Sequence, residues 1–343
     1  MASGGPVGRR TVPRWARGRR LLVAAGVGLT LALLAVWAGP LVEGDGKPSG
    51  TVTLSTGVAK GVYSRYGDLL HGQLANDVPG LDVELRSSEG SVENIERLLA
   101  GEADFAIATA DSIADYQQRG GEGAERLRAC ARLYDDYMHL VVPEDSPVER
   151  TSDLAGLRVG VGEDQSGVQL VTRELLAAAG LDMERDLTAV RKGIDNMPTM
   201  LEAGRLDAFF WSGGLPTSAV EQLSGRTAIR IVPLGDLLPE LTGREEAGGA
   251  TAHYRAAVMP PDAYEKIPGS EGIDTLAVAN LLVTTEDADD RLVEEITRSV
   301  INGRDSIADV VHAAQRVDLR TAIYTQPLDL HPGAREYYRS VKS

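Results

Sequence analysis

The sequence predicts an α/β fold built from two matching halves, and two observations carry that prediction. From residue 51 onward, short apolar runs alternate with amphipathic ones. The helix-to-strand exit in EGSVENIERLLAGEADFAIATAD, 89–111, also returns at 197–214 as MPTMLEAGRLDAFFWSGG. The two copies share Ala-Gly-x-x-Asp: Ala100, Gly101 and Asp104 in one, Ala203, Gly204 and Asp207 in the other. A glycine just past a helix lets the chain turn left-handed, and a short turn then enters a buried strand.

Taken in order, TVTLST at 51–56 is a strand, followed by the turn GVAKG. VYSRYGDLLHGQLAND is a helix with Val62, Tyr66, Leu69, Leu70 and Leu74 on one face. LDVELRS at 81–87 is the second strand. The next helix carries Val92, Ile95, Leu98 and Leu99 on a stripe, stops at Gly101 and delivers DFAIAT as a third strand. A connection is expected over 112–130, and ARLYDDYMHLVVPED at 131–145 holds a further strand. The second half repeats this order. LRVGVG at 157–162 is a strand and EDQSG a turn; VQLVTRELLAAAG is a helix closed by Gly180, and LTAVRKG at 187–193 a strand. A helix through MPTMLEAG then exits into DAFFWSGG.

With 343 residues, 25% of them charged and 43% hydrophobic, the chain has the balance of a globular protein with room for two domains. Its charge is unevenly placed. Six arginines and no acid lie within residues 1–20, so the remaining 29 basic residues face 50 acidic ones, a net charge of −21 against −15 for the whole. Such a body repels nucleic acid and anionic lipid, which excludes both as partners. A local site can still oppose the global field, so an anionic ligand is not excluded.

Residues 21–42, LLVAAGVGLTLALLAVWAGPLV, carry no charge and follow the basic run. They read either as a signal peptide, with small residues before Gly39, or as a hydrophobic helix that stays as a membrane anchor. Both readings place the body outside the cytoplasm, secreted or tethered. GDGKPSG at 44–50 reads as a tether. A single cysteine, Cys130, excludes a disulfide framework.

Two lobes with helices starting at the carboxyl ends of parallel strands present several helix N-termini to one crevice. Each offers unpaired backbone N–H groups and about half a positive charge, which suits a small anion.

The series TG-x₃-GVY at 56–63, EGSVEN at 89–94, GEAD at 101–104, HLVV at 139–142, GVGEDQSG at 160–167, DAFF at 207–210, LPTSAV at 215–220 and LHPGA at 330–334 resembles the TAXI family, the solute-binding receptors of TRAP transporters. The resemblance runs in order from about residue 51 to the C-terminus. It implies a two-lobed, type II periplasmic-binding-protein-like clamshell that closes on a small carboxylate such as glutamate or a dicarboxylate. It also implies two hinge crossings, near 142–146 and within TLAVANLLVTTED at 275–287. Lobe 1 is then 51–142 with 280–343, and lobe 2 is 143–279. The helices from Asp289 onward are expected to pack back on lobe 1. Three departures bear on the ligand: Val58 and Lys60 stand in the first Gly-rich loop where more glycine is expected, Val168 stands where a hydroxyl is usual, and Thr109 replaces a longer glutamine.

The candidate ligand-binding residues are Thr56, Gly57, Tyr63, Ser91, Asn94, Thr109, Tyr134, Ser166, Gly167, Val168, Arg191, Trp211 and Ser212. Ser91 and Asn94 stand three apart at a helix start, a spacing that also describes a cap; asparagine suits a helix interior poorly, which favours a ligand role. Tyr63 can donate its phenol to a carboxylate. Ser166 is an ordinary N-cap whose hydroxyl, with the Gly167 N–H, also forms an anion cradle. Trp211 and Ser212 end a strand at the crevice. Arg191 and Lys192 are the side-chain cations placed to balance a carboxylate. Tyr134 precedes an acidic pair.

Catalytic chemistry finds little support. The five histidines are scattered, with no HExxH or His-x₃-His spacing and no cysteine cluster for metal. No phosphate-loop, dinucleotide or nucleophile-elbow motif is present. His139 inside HLVV reads as a satisfied core or hinge histidine, and Cys130 as part of a segment between elements. The expectation is a non-enzymatic monomer without cofactor or metal. Its partners would be a small anionic solute, possibly an amino acid, and the membrane subunits of a transporter. A tethered extracellular sensor with a membrane partner is the alternative.

Overall fold

The computed structural model describes Met1 and residues 46–243, 253–268, 271–311, 314 and 318–342. The apolar segment 21–42 lies outside the described residues. Lys47–Ser343 forms one compact unit.

The first half runs β1 (Gly50–Ser55), α1 (Val62–Asp77), β2 (Leu81–Arg86), α2 (Ser91–Leu99), β3 (Phe105–Thr109), α3 (Ala110–Gln118) and β4 (Leu127–Pro143). The second runs β5 (Arg158–Gly160), α4 (Gly167–Ala178), β6 (Thr188–Val190), α5 (Met197–Glu202), β7 (Ala208–Gly213), α6 (Ser218–Ser224), β8 (Ile229–Ile231), α7 (Leu238–Gly243) and β9 (Arg255–Met259). The chain then returns through β10 (Ile273–Thr285) and ends in α8 (Asp290–Asn302), α9 (Arg304–Ala308) and α10 (Pro332–Ser340).

The strands follow the order β2-β1-β3-β10-β4-β7-β5-β6, with β8 on β4 and β9 on β10. Each half contributes a parallel trio, β2-β1-β3 and β7-β5-β6. Between the trios lie two long antiparallel strands that belong to both. β4 pairs with β10 up to Tyr137, opposite Ala277, and from Tyr137 onward with β7, opposite Gly213. This is a two-lobed, periplasmic-binding-protein-like α/β fold.

Each lobe buries its own apolar residues. In the first, Leu70 and Leu74 of α1 and Leu54 of β1 meet Val293, Val300 and Tyr337 of the C-terminal helices. Burying a leucine such as Leu70 fully stabilises the fold by about 1.5–3 kcal/mol, so α8 and α10 complete that core. In the second, Leu175 and Leu176 of α4 pack on Val159 and Phe210, while Phe209 faces Met197, Val220 and Leu223 on the other side of the sheet.

Two expectations are corrected. The connection expected over 112–130 contains α3, whose only apolar residues after Ala110 are Ile113, Ala114 and Tyr116; that stripe is too thin to show a helical period. Cys130 lies inside β4, fully buried, with its carbonyl accepting a hydrogen bond from the Tyr338 hydroxyl at 3.3 Å.

Candidate functional site

The starts of α1, α2 and α4, the ends of β3 and β7 and the middle of β4 converge on one cavity. About 60 Å³ of it is open to the centre of a water-sized sphere, several times the 10–15 Å³ that one water requires. That admits a small solute.

Its two principal walls are helix N-termini from opposite lobes. On the first, Gly90 precedes α2 with φ 138°, a conformation that favours glycine, and gives the helix no side-chain cap. On the second, Ser166 caps α4, its Oγ accepting from Gln169 N at 3.1 Å and donating to Glu163 O at 2.6 Å. The walls face each other closely. A methyl group on Gly90 would meet Ser166 Cβ at 3.5 Å and Gly167 N at 3.7 Å. One on Gly167 would lie 3.2 Å from each of the hydroxyls of Ser91, Thr109 and Ser112. The amides of Ser91 and Val92, like those of Gly167 and Val168, fall in the first turn, where no intrahelical acceptor exists.

Direct hydrogen bonds already join the lobes. Gln165 Nε2 donates to Glu96 at 3.2 Å, Glu93 N to Gln165 O at 3.4 Å, Lys60 N to Asp195 at 3.2 Å, and the buried Tyr254 hydroxyl to Asp111 Oδ2 at 2.8 Å, while Arg255 pairs with Asp135 beside the long strands.

Beside the α2 start runs a chain of hydroxyls. Ser91 Oγ lies 2.9 Å from the Tyr63 hydroxyl, which donates to Asn280 Oδ1 of β10 at 2.6 Å. Since the phenol proton is committed to Asn280, Ser91 donates to Tyr63. Ser91 Oγ in turn accepts from Thr109 N at 3.1 Å. Asp136 of β4 completes the floor, with Ser212 Oγ donating to its Oδ2 at 3.3 Å. Burial pushes its carboxyl up to about 7, and Asp111 and Asp135 push the same way, against Asn280 and Ser212. Glu163 also lines the cavity, its Oε1 accepting from Gly193 N at 2.9 Å, and exposed Glu89 stands at the rim. Among the described residues, no lysine, arginine or histidine lines the cavity.

Of the residues expected from the sequence, Gly57, Tyr63, Ser91, Thr109, Ser166, Gly167, Val168, Trp211 and Ser212 line this one space. Four lie away from it, each for a stated reason. Asn94 is saturated: its Nδ2 donates to Thr56 O at 2.6 Å and Ile107 O at 2.8 Å, and its Oδ1 accepts from Ser55 at 2.6 Å. It fastens α2 to β1 and β3. Thr56 donates its hydroxyl to Arg86 O at 3.0 Å and lies behind the lining. Tyr134 is fully buried under the floor, stacked on Tyr66 with ring centroids 5.6 Å apart. Arg191 pairs with Glu184 and Asp164.

Asp136, Glu89, Glu163 and the backbone at Gly162 and Gly193 escaped the sequence reading. Only Asp136 carried a signal, as half of an acidic pair inside a run of buried residues. His139 is fully buried: its Nδ1 meets Tyr137 O and its Nε2 the Tyr264 hydroxyl, both at 2.8 Å, and burial lowers its pKa to about 4.

A sequence model of the NMT1-like family matches residues 54–341. The chain belongs to the NMT1-like family. Among solved structures, this NMT1-like chain is similar to a protein of Bordetella bronchiseptica RB50, with a TM-score of 0.51, 19% identity, and 84% of this chain and 89% of that one covered. It is similar also to the alkanesulfonate-binding protein SsuA of Xanthomonas axonopodis pv. citri bound to MOPS, with a TM-score of 0.48, 16% identity and coverage of 85% and 84%. A third is the putative L-cystine ABC transporter protein of Listeria monocytogenes, with a TM-score of 0.48, 13% identity and coverage of 78% and 98%. At such identities the likeness concerns the fold alone.

Proposed function

We propose that the protein is an extracytoplasmic solute-binding receptor that captures a small carboxylate-bearing solute between its lobes and delivers it to a membrane transporter. The TAXI-like motif series favours a transporter of the TRAP type. The observation that carries the reading is the pair of opposed helix starts, Gly90-Ser91 and Ser166-Gly167, on one cavity. First-turn amides from two directions hold an anionic group by charge–dipole attraction and hydrogen bonds, without a side-chain cation.

In this reading β4 and β10 are the hinge, with the crossings near 142–146 and within 275–287, just past Tyr137 where β4 changes partner. The lobes are then 51–142 with 280–343 and 143–279. A ligand that touches both walls adds contacts that exist only when the lobes are closed, and so favours closure. The cycle contains no catalytic step. Burial pushes the Cys130 thiol well up, which suits a structural core residue rather than a nucleophile.

The test is a thermal-shift and calorimetric screen of the full chain, in mild detergent, against small carboxylates, amino acids and phosphate. A ligand at a hundred times its dissociation constant is expected to add about 2.7 kcal/mol. Absence of any shift across the panel contradicts the reading.

A further inference from the structure

Asp135 and Asp136 are neighbours on β4, so their side chains leave opposite faces of the sheet. Asp135 is neutralised twice, by Arg132 at 2.5 Å and by Arg255. Asp136 has no cation. It is 4% exposed, its Oδ2 has only the long bond from Ser212, and its Oδ1 makes no hydrogen bond of good geometry, although the Asn280 side chain lies close enough to favour the charged form.

Two more buried polar atoms share this lack. Tyr134 is two residues away on the same face of β4, and Asn280 stands directly opposite Tyr134 on β10. The Tyr134 hydroxyl and Asn280 Nδ2 make no such bond either. A buried polar group left unpaired is costly, because it gives up its water without a replacement. Here three gather where the two long strands meet, and only Asp136 reaches the cavity lining. A group that satisfies Asp136 Oδ1 must donate a hydrogen bond, and a cation does so best in a buried site that has no positive side chain.

We propose that Asp136 is the specificity-determining residue of the cavity, accepting an ammonium or other N–H group of a ligand whose carboxylate rests on the opposed helix starts. The inference rests on the receptor reading and sharpens it: the solute is a zwitterion with a nitrogen-borne proton, not a plain mono- or dicarboxylate. A second carboxylate placed against Asp136 and Glu163 is repelled, whereas an ammonium there turns the acidic lining into an attraction.

Calorimetry on the full chain compares matched pairs that differ only by the amino group: glycine and acetate, L-alanine and propionate, L-glutamate and glutarate. In each pair that binds, the amino member is expected to be about tenfold tighter or more, and Asp136→Asn is expected to level that ratio by weakening the amino member more than its partner. If deamino members bind as tightly as their partners, or Asp136→Asn leaves the ratio unchanged, the Asp136 assignment is overturned and the receptor reading stands. If no member of any pair binds, both fall. Should Asp136→Asn fail to fold, the wild-type ratios decide alone.

Discussion

The two helix starts that face each other across the cavity hold different places in the repeat, α2 being the second helix of its half and α4 the first of its own, and they are built differently. In the second lobe Ser166 closes α4 with its own side chain and ties the preceding turn to Glu163. In the first lobe Gly90 offers no cap, and Ser91 turns its hydroxyl sideways into the Tyr63–Asn280 chain. One wall is therefore finished internally. The other is held by β10 through Asn280 and Tyr63. In the proposed hinge motion, movement of β10 would reach the α2 wall through these two residues, while the α4 wall would move with its lobe.

The largest effect is expected where the walls nearly touch. Gly167→Val places a branched side chain against the hydroxyls of Ser91, Thr109 and Ser112, which a bare Cβ already approaches to 3.2 Å. Closure should fail and solute binding weaken by about a hundredfold or more, roughly 2.7 kcal/mol. Small-angle scattering should show a larger radius of gyration that solute no longer reduces. Unchanged affinity would break the comparison at its centre.

Next come the paired aspartates. The Asp136 carboxyl titrates near 7 in the fold against 3.8 when free, so its contribution is fully present below about pH 3.8 and is lost as pH rises through 7. His139 runs the other way. Lowered to about 4 from 6.5, it keeps its contribution above about pH 6.5 and loses it as pH falls toward 4. The two slopes oppose each other between pH 4 and 6.5. Asp136→Asn removes one of them: the variant should be more stable than wild type at pH 8 by roughly 2–4 kcal/mol, and its stability should climb more steeply with pH over that window. Chemical denaturation at several pH values measures both. Asp135→Asn should instead destabilise, by roughly 1–3 kcal/mol, since it strands the largely buried Arg132, while exposed Arg255 is left to water. Equal effects of the two substitutions would erase the distinction between a paired and an unpaired carboxylate.

The smallest effects separate the two serines. Ser166→Ala loses a cap and should cost about 1 kcal/mol of stability. Ser91→Ala removes no cap, so its effect should appear in binding, about three- to tenfold, with a smaller change in melting temperature. The reverse ranking would mean that α2 and α4 have been assigned the wrong roles.

Much of this was legible in the sequence because it rests on local signals. Gly101 and Gly204 mark helix ends, and they take positive φ of 73° and 65°. The apolar face of α1 and the Ser166-Gly167 start of α4 could be read the same way. Asn94 shows where reading fails. Its misfit inside a helix pointed to function, but the cause is three-way bonding to β1 and β3, a tertiary arrangement that no local pattern records. Arg191 failed likewise, because the acids that hold it lie seven and 27 residues away. Asp136 was visible only as half of a pair; which aspartate finds arginines and which faces the cavity depends on the β4–β10 register. α3 was missed for lack of apolar residues, since α3 earns its place partly through the buried Tyr254–Asp111 bond to the other lobe.

The central claim is that backbone amides from both lobes hold one solute together. Amide NMR shifts of Ser91, Val92, Gly167 and Val168 in the full chain, followed while a binding solute from the screen is added, test it most directly. The account predicts that all four move together and saturate at one concentration. Movement confined to one lobe, or binding that leaves all four in place, would contradict it.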